Sequence, residues 1–136
     1  MTDRLLTDRD YQSLATFRHL LRVFLGFSEE AARRAGITPA QHQLLLTIRG
    51  WSGPGDPSIG DVAELLVLRH HTVVELAQRA TAAGLVTTVT DAEDGRRHLL
   101  RLTERGESKL AELSLLHRDV LRRFRGQLAD MLEQLD

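Results

Sequence analysis

The stretch LVLRHHTVVELAQRATAAGLVTTVTDAEDGRRHLLRLTERG, residues 66–106, decides the fold. Between positions 69 and 83 the apolar residues Val73, Leu76, Ala77 and Ala80 recur at i, i+3, i+4 and i+7, the spacing of one helix face. At about 100° per residue, His71, Glu75 and Gln78 point away from that face, with Thr72, Val74 and Arg79 on its flanks. Gly84 supplies the stop. Residues 85–90 are rich in Val and Thr and read as a strand, although their alternation is irregular. Residues 91–95 form a turn, and 97–102 return as a second strand. The order is a helix with its polar face outward beside a hairpin that carries Arg96 and Arg97 at its tip.

Working outward, Ser58 and Asp61 make a capping pair that opens a short helix through about Val67. Two short helices joined by a tight turn, the second amphipathic, form a helix-turn-helix. DNA has a wide groove that admits a helix and a narrow groove that attracts arginine, so this module is shaped to enter both. Residues 58–106 carry six arginines against seven acids. The region is therefore not basic as a whole, and phosphate affinity must come from local groups: Arg69, His70 and His71 at the helix start, and Arg96 and Arg97 at the tip.

Thr7 with Asp10 caps a helix over residues 8–34 whose Leu14, Phe17, Leu21 and Phe24 repeat at helical spacing, with Gly26 a point for bending and Gly36 the stop. Thr38-Pro-Ala-Gln41 is a second capped start, with Leu44, Leu45 and Ile48 turned to the core. Residues 50–57 hold three glycines and two prolines and must be a loop, with Trp51 an anchor beneath it or a wall of a ligand pocket. Thr103 caps a last helix carrying Leu110, Leu113, Val120, Phe124, Leu128, Met131 and Leu135 along one seam, which Gly126 divides in two. The chain thus reads as one mainly α (α+β) domain. Residues 38–105 form a winged helix-turn-helix, and the long helices at 1–36 and 106–136 are left to bury their stripes in a two-fold dimer.

The 136 residues, 42% apolar and 27% charged, suit a globular domain with its own core. No apolar run reaches membrane-spanning length and the first residues lack a signal-like stretch, which makes the cytoplasm the expected location. Without cysteine there is no thiolate chemistry. The sequence contains no nucleophile elbow or phosphate-cradling glycine loop, so no catalytic residue, enzyme activity or cofactor is expected. His70, His71 and Glu75 do not form a metal triad, because His70 leaves the face that the other two share. His19, His42 and His117 on three helices are the remaining metal candidates, against hydrogen-bonded packing or a pH-dependent dimer contact for His117.

Asp94-Gly-Arg96-Arg97-His-Leu99-Leu100-Arg-Leu102-Thr103-Glu-Arg-Gly106, with Thr38-Pro-Ala-Gln41 before it and Thr72-Val73 through Gly84-Leu85-Val86 between, resembles the MarR family of bacterial transcriptional regulators along nearly the whole chain. The resemblance implies a homodimer on a pseudo-palindromic double-stranded DNA operator, acting as a repressor. It also implies release by a small aromatic or phenolic effector between the dimerisation and DNA-binding regions. By that resemblance Arg96 is the wing residue of the minor groove, oriented by an ion pair with Asp94, and Arg97 is a second phosphate or groove contact. Arg69, His70, His71, Thr72, Glu75, Gln78 and Arg79 fall on the recognition helix. This chain departs from the common pattern in Arg69-His70-His71, where small hydroxyl residues often stand, and in the acid at Glu75. That acid either accepts from a cytosine amino group or pairs with Arg79 one turn on. The competing reading is a helical dimer that binds a ligand or metal and does not act on DNA.

Overall fold

The computed structural model describes residues 5–135. The elements run α1 (Asp8–Arg34), α2 (Pro39–Arg49), α3 (Ile59–Leu66), α4 (His70–Ala82), β1 (Val86–Thr90), β2 (His98–Leu102) and α5 (Glu104–Glu133). Capping chemistry sets most of the starts. Thr7, Thr38 and Ser58 each accept the backbone N–H of the residue three on, and Asp10, Gln41 and Asp61 bond back, so three capping boxes close. Thr103 caps α5 in the same way from its side chain. Gly36 and Gly84 end α1 and α4 in left-handed conformations that other residues avoid.

The core gathers where α2, α3, α4 and the hairpin meet. Leu44, Leu45, Val62, Val73, Ala80, Leu85 and Leu100 are fully buried, and Leu113 of α5 closes the cluster. β1 and β2 pair antiparallel, from Val86 opposite Leu102 to Thr90 opposite His98. The loop before α3 joins the β2 edge through a Ser58–Leu99 bridge, with the Leu100 N–H donating to the Pro57 carbonyl at 2.9 Å. α1 packs across α5 and α2.

Two expectations shift. α5 runs unbroken through Gly126. Glycine weakens a helix interior by only about 1 kcal/mol, which the rest of a 30-residue helix outweighs. The strands begin one residue later than the composition suggests. Leu85 is held outside the ladder, its N–H donating to the Ala80 carbonyl and its own carbonyl accepting from Thr103 N–H. The uneven alternation in β1 also has a cause: Val86 lies in the core while Thr87 and Thr88 are already in solvent.

Candidate nucleic-acid interface

The helix-turn-helix is built by a left-handed residue. Val67 caps α3 at φ 56° and ψ 46°, which lets the chain turn back within three residues and begin α4 at His70. A β-branched residue in this region is strained, and Val67 is 88% exposed, so no packing compensates it. α4 buries Val73, Ala77 and Ala80 against α2 and α3 and leaves His71, Glu75, Gln78 and Arg79 in solvent, with Thr72 and Val74 half-buried at the margins. Arg69 is the N-cap residue rather than part of the helix, and its carbonyl accepts from the N–H groups of Thr72 and Val73. Of the five helices in the described residues, α4 alone has no side-chain cap. Its first N–H groups and the positive end of its dipole therefore stand open, flanked by Arg69, His70 and His71.

The hairpin tip is organised by its acids. Asp91 accepts the Glu93 N–H at 3.0 Å, and Asp94 accepts the Arg96 N–H at 3.1 Å through Oδ1. The Arg97 N–H donates to the Asp94 carbonyl, and the Asp91 N–H to the Arg97 carbonyl. These carboxylates therefore hold backbone, which explains how an acidic loop displays arginines. The expected ion pair between Asp94 and the Arg96 guanidinium is replaced by that backbone bond, and the exposed Arg96 side chain has no ion-pair partner among the described residues. Arg97 behaves differently from its neighbour. Its guanidinium bonds Asp61 at 3.2 Å, tying the wing to the first turn of α3.

Asp61 was legible only as a cap. In the fold it accepts the Ser58 N–H at 2.9 Å and the Arg97 guanidinium on the same oxygen. The Ser58 backbone bond, with the Ser58 hydroxyl and Arg97 contributing, holds its carboxyl below the usual carboxylate value despite partial desolvation. At the hairpin base Arg101 donates twice to Asp56, at 2.7 and 3.1 Å. Of the two readings of Glu75, the one-turn pair with Arg79 does not form, and neither side chain has an ion-pair partner among the described residues.

The run Leu102-Thr103-x-x-Gly106 is a joint. The Thr103 hydroxyl donates to the Gly84 carbonyl at 2.6 Å and accepts the Gly106 N–H at 3.0 Å. The Thr103 N–H donates to the Leu85 carbonyl at 3.0 Å, and a side chain at position 106 would run into that same carbonyl oxygen. The end of α4 and the start of α5 are thereby fixed to each other.

Away from this face, a cleft of about 700 Å³ lies among α1, α2 and α5, lined by Phe24, His42, Leu46, His117, Leu121 and the arginines 118, 122 and 125. Of the three histidines weighed from sequence, His42 and His117 come together while His19 lies exposed. No set of three His, Cys, Asp or Glu side chains able to hold a metal ion occurs among the described residues. Trp51 lies elsewhere, half-buried in the loop beside Pro57 and Arg101 with its ring packed on Gly53, and does not wall this cleft. No helix of the described residues is long and apolar enough to cross a membrane.

The sequence model of the MarR family matches residues 35–97, the span from the end of α1 to the wing tip. No curated protein matches the sequence. Among solved structures, a MarR family transcription regulator is 25% identical with a TM-score of 0.76, over 88% of this chain and 78% of that one. AbsC, a MarR family transcriptional regulator from Streptomyces coelicolor, is 22% identical with a TM-score of 0.76, over 96% of this chain and 89% of its own. A substituted MepR from S. aureus, bound to an oligodeoxyribonucleotide, is 20% identical with a TM-score of 0.71, over 97% of this chain and all of its own.

Proposed function

We propose that this chain is a sequence-specific, double-stranded DNA-binding transcriptional regulator, a reading supported by the MarR family model matching residues 35–97 and by the same fold continuing through the flanking helices. The observation that carries the reading is the pairing of two free surfaces: the uncapped, outward polar face of α4 and the unpartnered Arg96 beside it on the wing. A helix N-terminus with open N–H groups receives a phosphate, the face beyond it meets base edges in the major groove, and an arginine on a narrow hairpin fits the minor groove. His70, His71, Thr72, Glu75 and Gln78 carry the base reading, with Arg69 and Arg79 on phosphate and Arg97 positioning the wing through Asp61.

The finer reading is a homodimeric repressor relieved by a small-molecule effector. α1 and α5 leave Tyr11, Leu14, Leu25, Leu115, Leu121 and Leu132 exposed, an apolar surface that a second copy would cover. A dimer places two copies of α4 on the half-sites of a pseudo-palindromic operator. The cleft among α1, α2 and α5 supplies the room and the apolar walls for an effector, at the seam between the DNA-binding region and the terminal helices.

Selection of bound fragments from random DNA, followed by anisotropy titration at several salt concentrations, tests the reading. A two-fold recovered site with affinity falling steeply as salt rises is the expected outcome. Salt-insensitive or absent binding to every fragment would leave the helical ligand-binding dimer as the better account.

A further inference from the structure

The imidazoles of His42 and His117 are in ring contact, with centroids 4.8 Å apart and planes inclined at 54°, where α2 meets α1 and α5. His117 joins all three helices. Its Nδ1 lies 2.7 Å from the Leu113 carbonyl oxygen, which only accepts, so Nδ1 carries the proton. Its Nε2 lies 2.8 Å from Ser28 Oγ, and in the neutral ring this nitrogen accepts from the Ser28 hydroxyl. Phe24 and Phe27 of α1 flank the same ring. His42 is only 2% exposed, and its Nδ1 is buried without a hydrogen-bond partner among the described residues.

The surroundings oppose a positive charge here. From α5 the adjoining cleft receives Arg118, Arg122 and Arg125, from α1 the uncharged Phe24, and from α2 only His42 itself and Leu46; no carboxylate lines it. Charging His117 turns Nε2 into a donor and forces the buried Ser28 hydroxyl to send its proton elsewhere. Charging His42 places a cation in a desolvated site beside that ring. Burial first, and the neighbouring His117 second, hold His42 below its ordinary value of 6.5. A depressed folded value means that the packing is intact above pH 6.5 and weakens as pH falls through the folded value.

We propose that the His42–His117 pair is a proton-operated latch: uncharged, it holds α2 of the DNA-binding region against α1 and α5, and charged, it frees α2 and lowers operator affinity. The effect on DNA rests on the function proposed above; the release of α2 does not.

The double substitution His42→Leu with His117→Gln separates the two: leucine fills a similar volume, the amide donates to Leu113 and accepts from Ser28, and neither side chain titrates. The full chain and this variant are compared at pH 7.5 and 5.5 by anisotropy on the selected operator and by hydrogen exchange of the α2 amides, corrected for intrinsic rate. His70 and His98 line the groove beside Arg96, His71 lies on the exposed face of α4, and all three are present in both proteins. The quantity to read is therefore the ratio of wild-type Kd to variant Kd at each pH. One linked proton changes affinity by at most about tenfold per pH unit, and a rise of about tenfold in the ratio at pH 5.5 is expected. The α2 amides of the wild type alone should exchange faster at that pH. A ratio that stays flat in protein that binds DNA overturns the latch. In protein that binds no DNA, faster α2 exchange confined to the wild type upholds the latch and sinks the regulator reading, while unchanged exchange overturns the latch as well. Should the double substitution fail to fold, His42→Leu alone, which removes the buried imidazole, serves in the same comparison.

Discussion

Arg96 and Arg97 are adjacent in sequence and opposite in role. Arg97 is spent on Asp61, while Arg96 has only its backbone N–H engaged. Arg96→Ala should therefore weaken binding to all DNA by about 2 kcal/mol, roughly thirtyfold in Kd, with unfolding unchanged; anisotropy and a urea midpoint check the two halves. Asp61→Asn should do the reverse. It keeps an oxygen for the Ser58 N–H but loses the charge that holds Arg97, costing about 1 kcal/mol of stability in urea unfolding. Because the folded Asp61 value is depressed, its contribution is present above the ordinary 3.8 and disappears as pH falls through the folded value. The stability gap between wild type and variant should close over that acid range. Sequence alone identifies both arginines and the Asp61 cap, yet it cannot pair residues 36 positions apart, so the division of labour between the arginines becomes visible only in three dimensions.

Local chemistry fixes the elements well. The starts of α1, α2, α3 and α5 are readable because a cap is a contact between residues three apart, and the ends of α1 and α4 because a glycine follows each. α4 is located by its apolar period instead, since it lacks a side-chain cap. Gly126 misleads because propensity is a local argument, and a long helix that packs against α1 overrides one weak residue. The turn between α3 and α4 hides something no pattern announces, namely a valine where the backbone wants glycine. Val67→Gly should raise stability by about 1 kcal/mol in urea denaturation, since the exposed side chain contributes little packing and the left-handed strain is relieved. Gly106→Ala should act in the opposite sense. The added methyl meets the Leu85 carbonyl, and about 1–3 kcal/mol is lost as α5 shifts from the hairpin base.

For the whole molecule, the terminal helices set the assembly. Leu14 is half exposed on α1, and Leu132 stands in solvent on the last turns of α5. If these faces meet a second copy, light scattering should give twice the mass of the chain, and Leu14→Glu should return it to the monomer mass with its helix content retained. The sequence yields Leu14 of this surface, but Leu110, Leu113 and Met131 of its α5 seam are buried within the chain, and it does not yield the joint at Thr103, where one hydroxyl grips the exit of α4 and the entry of α5 together. That joint makes the chain a mechanical linkage. α5 is a rod about 45 Å long, clamped at one end to the exit of α4 and packed on α1 beyond that clamp. A tilt of about 5° about the clamp swings its far end by about 4 Å. Run in reverse, a small displacement imposed far out on the rod arrives at α4 as a rotation, and two such rods joined tip to tip would set the span between their two copies of α4 as the legs of a pair of dividers set their points.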